Sequence, residues 1–211
     1  MRKVKGTFIK NNLDANAGLS IENIKLAIDY AHEIIDQIDD KLISVGADRI
    51  SQTVELANLS SMVGNLLGAG VAKFSNGKFK RNGPHKYPDI LANARDVKDI
   101  EIKISLETNK PKGHLAKGGF YLTCRYVLIN SDFKFDINNR GEVVEIWEAR
   151  FGYLEEDDFN LSNTPGDSGK TAVINKEGME KLKVVYINID YCPYSERSAT
   201  YKEYKSLINS I

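Results

Sequence analysis

The chain has 211 residues, 42% hydrophobic and 27% charged, with 29 cationic and 29 acidic side chains and a net charge of zero. That length sets one domain, residues 1–211, as the expectation, with apolar side chains enough for a real core. Net neutrality argues on its face against a nucleic-acid binder, and no apolar run approaches the roughly 20 residues that cross a bilayer.

Residues 1–18 read as a loose lead-in, broken by Asn11-Asn12 and Gly18. Met1 to Lys5 is basic but leads into no apolar segment, so a cytoplasmic protein is expected. Ser20 is placed to cap a helix, with Glu22 in its first turn. Ile21, Ile24, Ile28, Ala31, Ile35, Ile38 and Leu42 recur at steps of three and four, which predicts an amphipathic helix ending near Gly46. The same spacing suits a coiled-coil seam, but three heptads in a mixed chain are read as packing on their own core. A second helix is expected over about 47–72, with Ile50, Val54, Ala57, Met62 and Leu66 on its apolar side. Gly64, Gly68 and Gly70 thin that helix and mark close packing points or caps.

Asn76-Gly77 and Asn82-Gly83-Pro84 are turn signals around a short hairpin through Lys78 and Phe79. Pro88 holds Tyr87 extended, and Asp89 to Ala92 starts a strand. After a polar turn, Asp99 to Leu106 is the next strand. A Lys- and Gly-rich loop leads to strands at Phe120–Ile129 and within 142–153, and then to the acidic break at 155–158. Val184 to Tyr191 suits a central strand, Pro193 stops it, and a helix over 198–211 closes the chain. The fold class is α/β, a mixed central β-sheet flanked by helices. Its expected parts are a helical stretch at 19–72, a strand core at 84–130, and loops with C-terminal strands at 131–211.

Charge is unevenly spread. Five cations and no acid lie between Lys73 and Lys86, and five cations face one acid from Lys103 to Arg125. Residues 132–158 carry nine acids and three bases. A locally basic cleft on a neutral protein still binds a polyanion. Cys124 and Cys192 form no CxxC pair and are expected as buried, reduced thiols. His32 and His85 have no ligand spacing with Cys or another His, so no zinc site is expected.

The chemistry-bearing stretch is Tyr87-Pro88-Asp89-Ile90, followed by Asp99-Ile100-Glu101-Ile102-Lys103-Ile104-Ser105. If Ile100, Ile102 and Ile104 face a core, Glu101 and Lys103 share the opposite face, roughly 6–7 Å apart along the strand. Asp89 is expected to arrive from a neighbouring strand or turn. Two carboxylates and an ammonium at one sheet edge suit a hard divalent cation and a water molecule.

The pattern Pro88-Asp89, then Glu101-Ile102-Lys103, resembles the PD-(D/E)xK nuclease superfamily, and the chain length is similar to that of simple type II restriction endonucleases. The resemblance covers this core and the helices before it. It implies a restriction-endonuclease-like core in which Asp89, Glu101 and the Ile102 carbonyl bind Mg²⁺ and Lys103 orients or deprotonates the attacking water. Related mismatch-repair nicking enzymes carry a Gly-Leu-Leu-rich helix ending in a catalytic Glu. Gly64-Asn65-Leu66-Leu67 is similar, but Gly68 stands where that Glu would be, which leaves Glu55 as the candidate third acid. The implied activity is type II cleavage of double-stranded DNA at a short, palindromic site by a homodimer. The alternatives are a repair or nicking endonuclease of the same superfamily and a non-catalytic DNA-binding module.

Thr164-Pro165-Gly166-Asp167-Ser168-Gly169-Lys170-Thr171 ends like a phosphate-binding P-loop, but Thr164 replaces the first glycine and no apolar strand precedes it. No nucleotide cofactor is therefore expected. Ser168 and Lys170, with Lys80, Arg81, Lys112, His114 and Lys117, are the candidate DNA contacts.

Overall fold

The computed structural model describes residues 2–14, 17–84, 86–162 and 171–211. β1 (Thr7–Phe8) is followed by the long α1 (Ile21–Ser44). Ser20 caps α1 as expected: its hydroxyl accepts from the Asn23 N–H at 3.1 Å, and Asn23 Oδ1 accepts from the Ser20 N–H at 3.3 Å. Ile24, Ala27, Ile28, Ala31 and Ile35 form the buried stripe of α1.

The expected second helix is two helices. α2 (Ile50–Thr53) and α3 (Leu56–Lys73) are separated by an extended Val54–Glu55. The break follows from side-chain demands: Asp39 takes the Ile50 N–H at 2.7 Å, and Ser51 donates its hydroxyl to the Glu142 carbonyl at 2.5 Å. These bonds tie the short α2 to α1 and to the start of β7, and extended backbone at Val54 and Glu55 separates it from α3. The three glycines of α3 are packing points. A Cβ on Gly70 would lie 2.6 Å from Ala27 Cα, and Cβ atoms on Gly64 and Gly68 would lie 3.1 Å from the Ile104 and Ile102 side chains. Bare helix backbone thus lets α3 approach both α1 and the sheet.

The remaining elements are β2 (Phe79–Arg81), β3 (Ile90–Ala92), β4 (Ile100–Leu106), β5 (Lys112–Gly113), β6 (Gly119–Ile129), β7 (Val143–Leu154), β8 (Phe159–Ser162), β9 (Thr171–Ile174), α4 (Lys176–Lys181), β10 (Lys183–Ile187) and α5 (Ala199–Asn209). Seven strands form a mixed sheet in the order β1-β10-β7-β6-β4-β3-β2. Only β4 and β6 pair in parallel, and the other neighbours are antiparallel. The expected hairpin therefore exists, but it joins β2 to β3 across residues 82–89.

One face of the sheet packs on α1 and α3 through Ile90, Ile100, Ile102 and Leu122. On the other face, Trp147 meets the Tyr204 ring of α5 edge-on at 5.9 Å. A second, three-stranded sheet, β5-β9-β8, packs on Tyr121 and Leu154 near the same face. Its strands are short, and β5 is too brief to leave a readable alternation. Cys124 and Cys192 are buried and free, and burial pushes the Cys192 thiol up to about 11. Among the described residues, no helix is long and apolar enough to cross a membrane. The P-loop-like residues 163–170, and Ser168 and Lys170 with them, lie outside the described residues, as does His85.

Candidate active site

β3 and β4 pair with Ile90 opposite Ile100. Carried one step further, that antiparallel register sets Asp89 against Glu101, and the next step sets Pro88 against Ile102. Pro88 has no N–H to offer the ladder. Side chains take over at this point. The Asp89 N–H donates to Glu101 Oε2 at 3.1 Å, and the Ile102 N–H donates to Asp89 Oδ2 at 2.9 Å. In a strand, one residue's N–H and C=O point to the same side, so the Ile102 carbonyl faces the same edge as Asp89. Asn82 holds the incoming segment, donating its side-chain N–H to the Pro88 carbonyl and its backbone N–H to the Asp89 carbonyl, each at 2.9 Å.

The alternation in β4 falls as the sequence requires. Ile100 and Ile102 are buried against the helices, and Glu101 and Lys103 share the other face. The Lys103 ammonium contacts Glu101 Oε1, with the two side chains 18% and 9% exposed. Lys103 is held from behind by β5. A Cβ on Gly113 would stand 2.8 Å from Lys103 Cε, so the bare backbone lies along the lysine stem and any side chain there would push the ammonium aside.

Burial raises the Glu101 carboxyl above its ordinary value, and the Asp89 charge adds to the rise. The Lys103 ammonium opposes both, by charge and by hydrogen bond. Two carboxylates and one ammonium in a half-dry corner leave excess negative charge that a cation would offset. The donors are right in kind for Mg²⁺: carboxylate and carbonyl oxygens. Among the described residues, no group of three or more His, Cys, Asp or Glu is disposed to hold a metal. One or two carboxylates with waters and substrate phosphate are the usual Mg²⁺ complement, so the set fits.

Glu55 is not part of this set. It is the exposed N-cap residue of α3, thirteen residues before Gly68, which marks the level of Ile102. That is roughly 20 Å along the helix. Moreover, α3 packs on the apolar face of β4, opposite Glu101 and Lys103. The third-acid expectation is corrected on both counts.

Of the candidate DNA contacts, Lys80 and Arg81 lie on the edge strand β2, both exposed, with Arg81 donating to Asn65 Oδ1 at 2.8 Å. Lys112 and His114 are exposed at and just after β5. Lys117 is tied to the segment that carries Asp89. Its ammonium lies 4.2 Å from the centre of the Tyr87 ring, and Tyr87 is two residues before Asp89. The Tyr87 hydroxyl donates to the Gly118 carbonyl at 3.1 Å, and Tyr121 donates to the Lys117 carbonyl at 2.8 Å.

The same sheet face also carries a buried ionic network that no motif in the sequence marks. Glu148, 2% exposed, lies 3.1 Å from Arg125 and 2.6 Å from Arg150, and it accepts from the Tyr204 hydroxyl. Burial alone would raise Glu148, but the two guanidiniums and the hydroxyl outweigh it and hold the carboxyl below its ordinary value. Arg125 also donates to the Asn109 carbonyl at 3.2 Å, which Ser105 reaches at 2.9 Å. The network thereby anchors the loop that carries Lys112 and Lys117. Neither a scan against protein-family models nor a search of curated proteins finds a match for this chain.

Proposed function

We propose that this protein is a Mg²⁺-dependent endonuclease of the PD-(D/E)xK kind, hydrolysing phosphodiester bonds in double-stranded DNA in the manner of a type II restriction enzyme. The observation that carries the reading is the interlock of Asp89 and Glu101 across the end of the β3–β4 ladder, with Lys103 on the Glu101 carboxylate. Further support comes from the mixed sheet and from the cations on β2, β5 and the loop to β6.

In this reading, Asp89, Glu101 and the Ile102 carbonyl hold the cation. When bound, Mg²⁺ lowers the pKa of water and offsets charge on the phosphate. Lys103 has three donors on a flexible stem and orients the attacking water towards phosphorus. The half-buried Lys117 ammonium, fixed over Tyr87, stabilises the DNA backbone beside the reacting phosphate. A homodimer acting on a palindromic site would place one such centre on each strand.

The test is incubation of unmethylated plasmid and phage DNAs with the protein in Mg²⁺ or in EDTA. Discrete fragments formed only with Mg²⁺, and lost in Asp89→Ala, are expected. Nicked circles without fragments would move the assignment to a nicking enzyme. Uncut DNA throughout would overturn it.

A further inference from the structure

The loop that supports Lys103 also walls a cleft on its other side. Past Gly113, His114 and Leu115 turn outward and face Phe159 and Leu161 of β8, with Glu156 and Asp157 at the rim. The cleft is about 430 Å³, inside the roughly 300–1,000 Å³ of small-molecule sites. Two of its apolar walls are exposed, Leu115 at 59% and Leu161 at 61%, whereas Phe159 is 8% exposed and packs on the Tyr121 ring behind them. Leu161 is also in register with Gly113, the residue that lies against Lys103. Gly113 stands opposite Ala172, and Ala172 stands opposite Leu161, in one cross-strand row. Two strand spacings put Leu161 roughly 10 Å from Gly113, whose backbone touches the Lys103 side chain.

The chemistry changes sign along that row. Lys103 and Lys117 lie on the side of the carboxylate pair, whereas the cleft offers apolar walls, the His114 imidazole and two carboxylates. A nucleotide has the complementary polarity, an anionic phosphate at one end and a neutral, amine-bearing ring at the other. Carboxylates at the rim would repel a phosphate but accept hydrogen bonds from an exocyclic amine. We infer that the Leu115–Leu161 cleft binds a nucleobase turned out of the DNA stack next to the phosphate at Lys103. This rests on the nuclease reading for its substrate. It adds that an amine-bearing base is taken extrahelically and held by Leu115, Phe159 and Leu161, with Glu156 and Asp157 as acceptors.

The experiment uses the full chain with ¹³C-labelled leucine methyl groups, assigned through Leu115→Met and Leu161→Met. Deoxyadenosine 5′-monophosphate is expected to shift both methyl signals saturably. 2-Deoxyribose 5-phosphate at the same concentration should leave them in place, and Leu161→Asp, which removes the apolar wall and adds no cation for the phosphate, should weaken the nucleotide at least tenfold. Absence of shifts, equal shifts with the sugar phosphate, or equal shifts with N-acetylarginine amide (a basic peptide mimic) would each overturn the inference. The two readings separate cleanly. Plasmid cut in Mg²⁺ without nucleotide shifts removes the cleft assignment alone. Nucleotide shifts without cutting remove the nuclease reading and leave a nucleobase site.

Discussion

Lys103→Met removes the ammonium from Glu101 while keeping a straight side chain of similar reach against Gly113. Two effects follow from the geometry. Glu101 keeps its hydrogen bond from the Asp89 N–H but loses its only ion-pair partner among the described residues, at 9% side-chain exposure. A buried charged group left short of a partner costs about 1–3 kcal/mol. The retained N–H and the partial exposure of the site favour the lower half of that range. The second effect is a pH dependence. Burial already raises the Glu101 pKa above its ordinary 4.5, and loss of the opposing lysine raises it further. The folded variant then binds a proton that the unfolded chain does not, over a window extending upward from 4.5. The variant's deficit relative to wild type is therefore largest near pH 8 and shrinks as pH falls towards 5. Urea denaturation of both proteins at pH 8 and pH 5 measures this directly. Loss of a water-positioning group also predicts single-turnover DNA cleavage slower by roughly 10²–10⁴-fold. A stability deficit equal at both pH values, or cleavage within threefold of wild type, would refute the reasoning.

Gly68→Val would drive methyl groups into Ile102 and Ile90, whose Cδ1 atoms would already stand 3.1 and 3.3 Å from a bare Cβ; an overpacking cost of about 1–3 kcal/mol by thermal denaturation is expected. The same variant should lose DNA cleavage, because Ile102 sits between Glu101 and Lys103; unchanged activity would contradict the tight α3–β4 contact. Glu148→Gln leaves Arg125 and Arg150 facing each other in the interior and should cost about 3–5 kcal/mol, read as a lower urea midpoint. A loss under 1 kcal/mol would show that the network is not integral to the fold. His32 accepts from the Ile146 N–H at 3.0 Å, and burial, then the Arg2 guanidinium, hold its pKa well below 6.5. The unfolded chain takes up that proton first, so this contribution is lost as pH falls below 6.5, by up to about 1.4 kcal/mol per pH unit. Glu145, raised by burial to about 7, works in the opposite direction between pH 7 and 4.5. His32→Gln should therefore lose less stability than wild type between pH 6.5 and 5, and equal losses would refute the assignment.

The long periodic elements were legible because one physical rule decides them. The isoleucine spacing of α1 and the Ile100–Ile102–Ile104 alternation of β4 each leave one face to bury, and tertiary packing agrees with that choice. The meeting of Asp89 and Glu101 was legible too, since a short antiparallel return needs no long-range information. What stayed hidden depends on partners distant in sequence. The short α2 is held by Asp39 and by the Glu142 carbonyl, and the small sheet forms only because β9 lies between β5 and β8. Arg125 and Glu148 sit on different strands, and nothing in either strand announces that the two residues face each other. Gly113 sits in a Lys- and Gly-rich stretch with no sequence signal for its contact with Lys103, which depends on β5 folding back along β4.

The central claim is that Asp89 and Glu101 act together as one divalent-cation site. Titration of the metal-free protein with Mn²⁺, followed by electron paramagnetic resonance, measures this without DNA. One site is predicted in wild type, with affinity lost at least tenfold in both Asp89→Asn and Glu101→Gln. Mn²⁺ binding that survives both substitutions unchanged, or no binding by the wild-type protein, would contradict the claim.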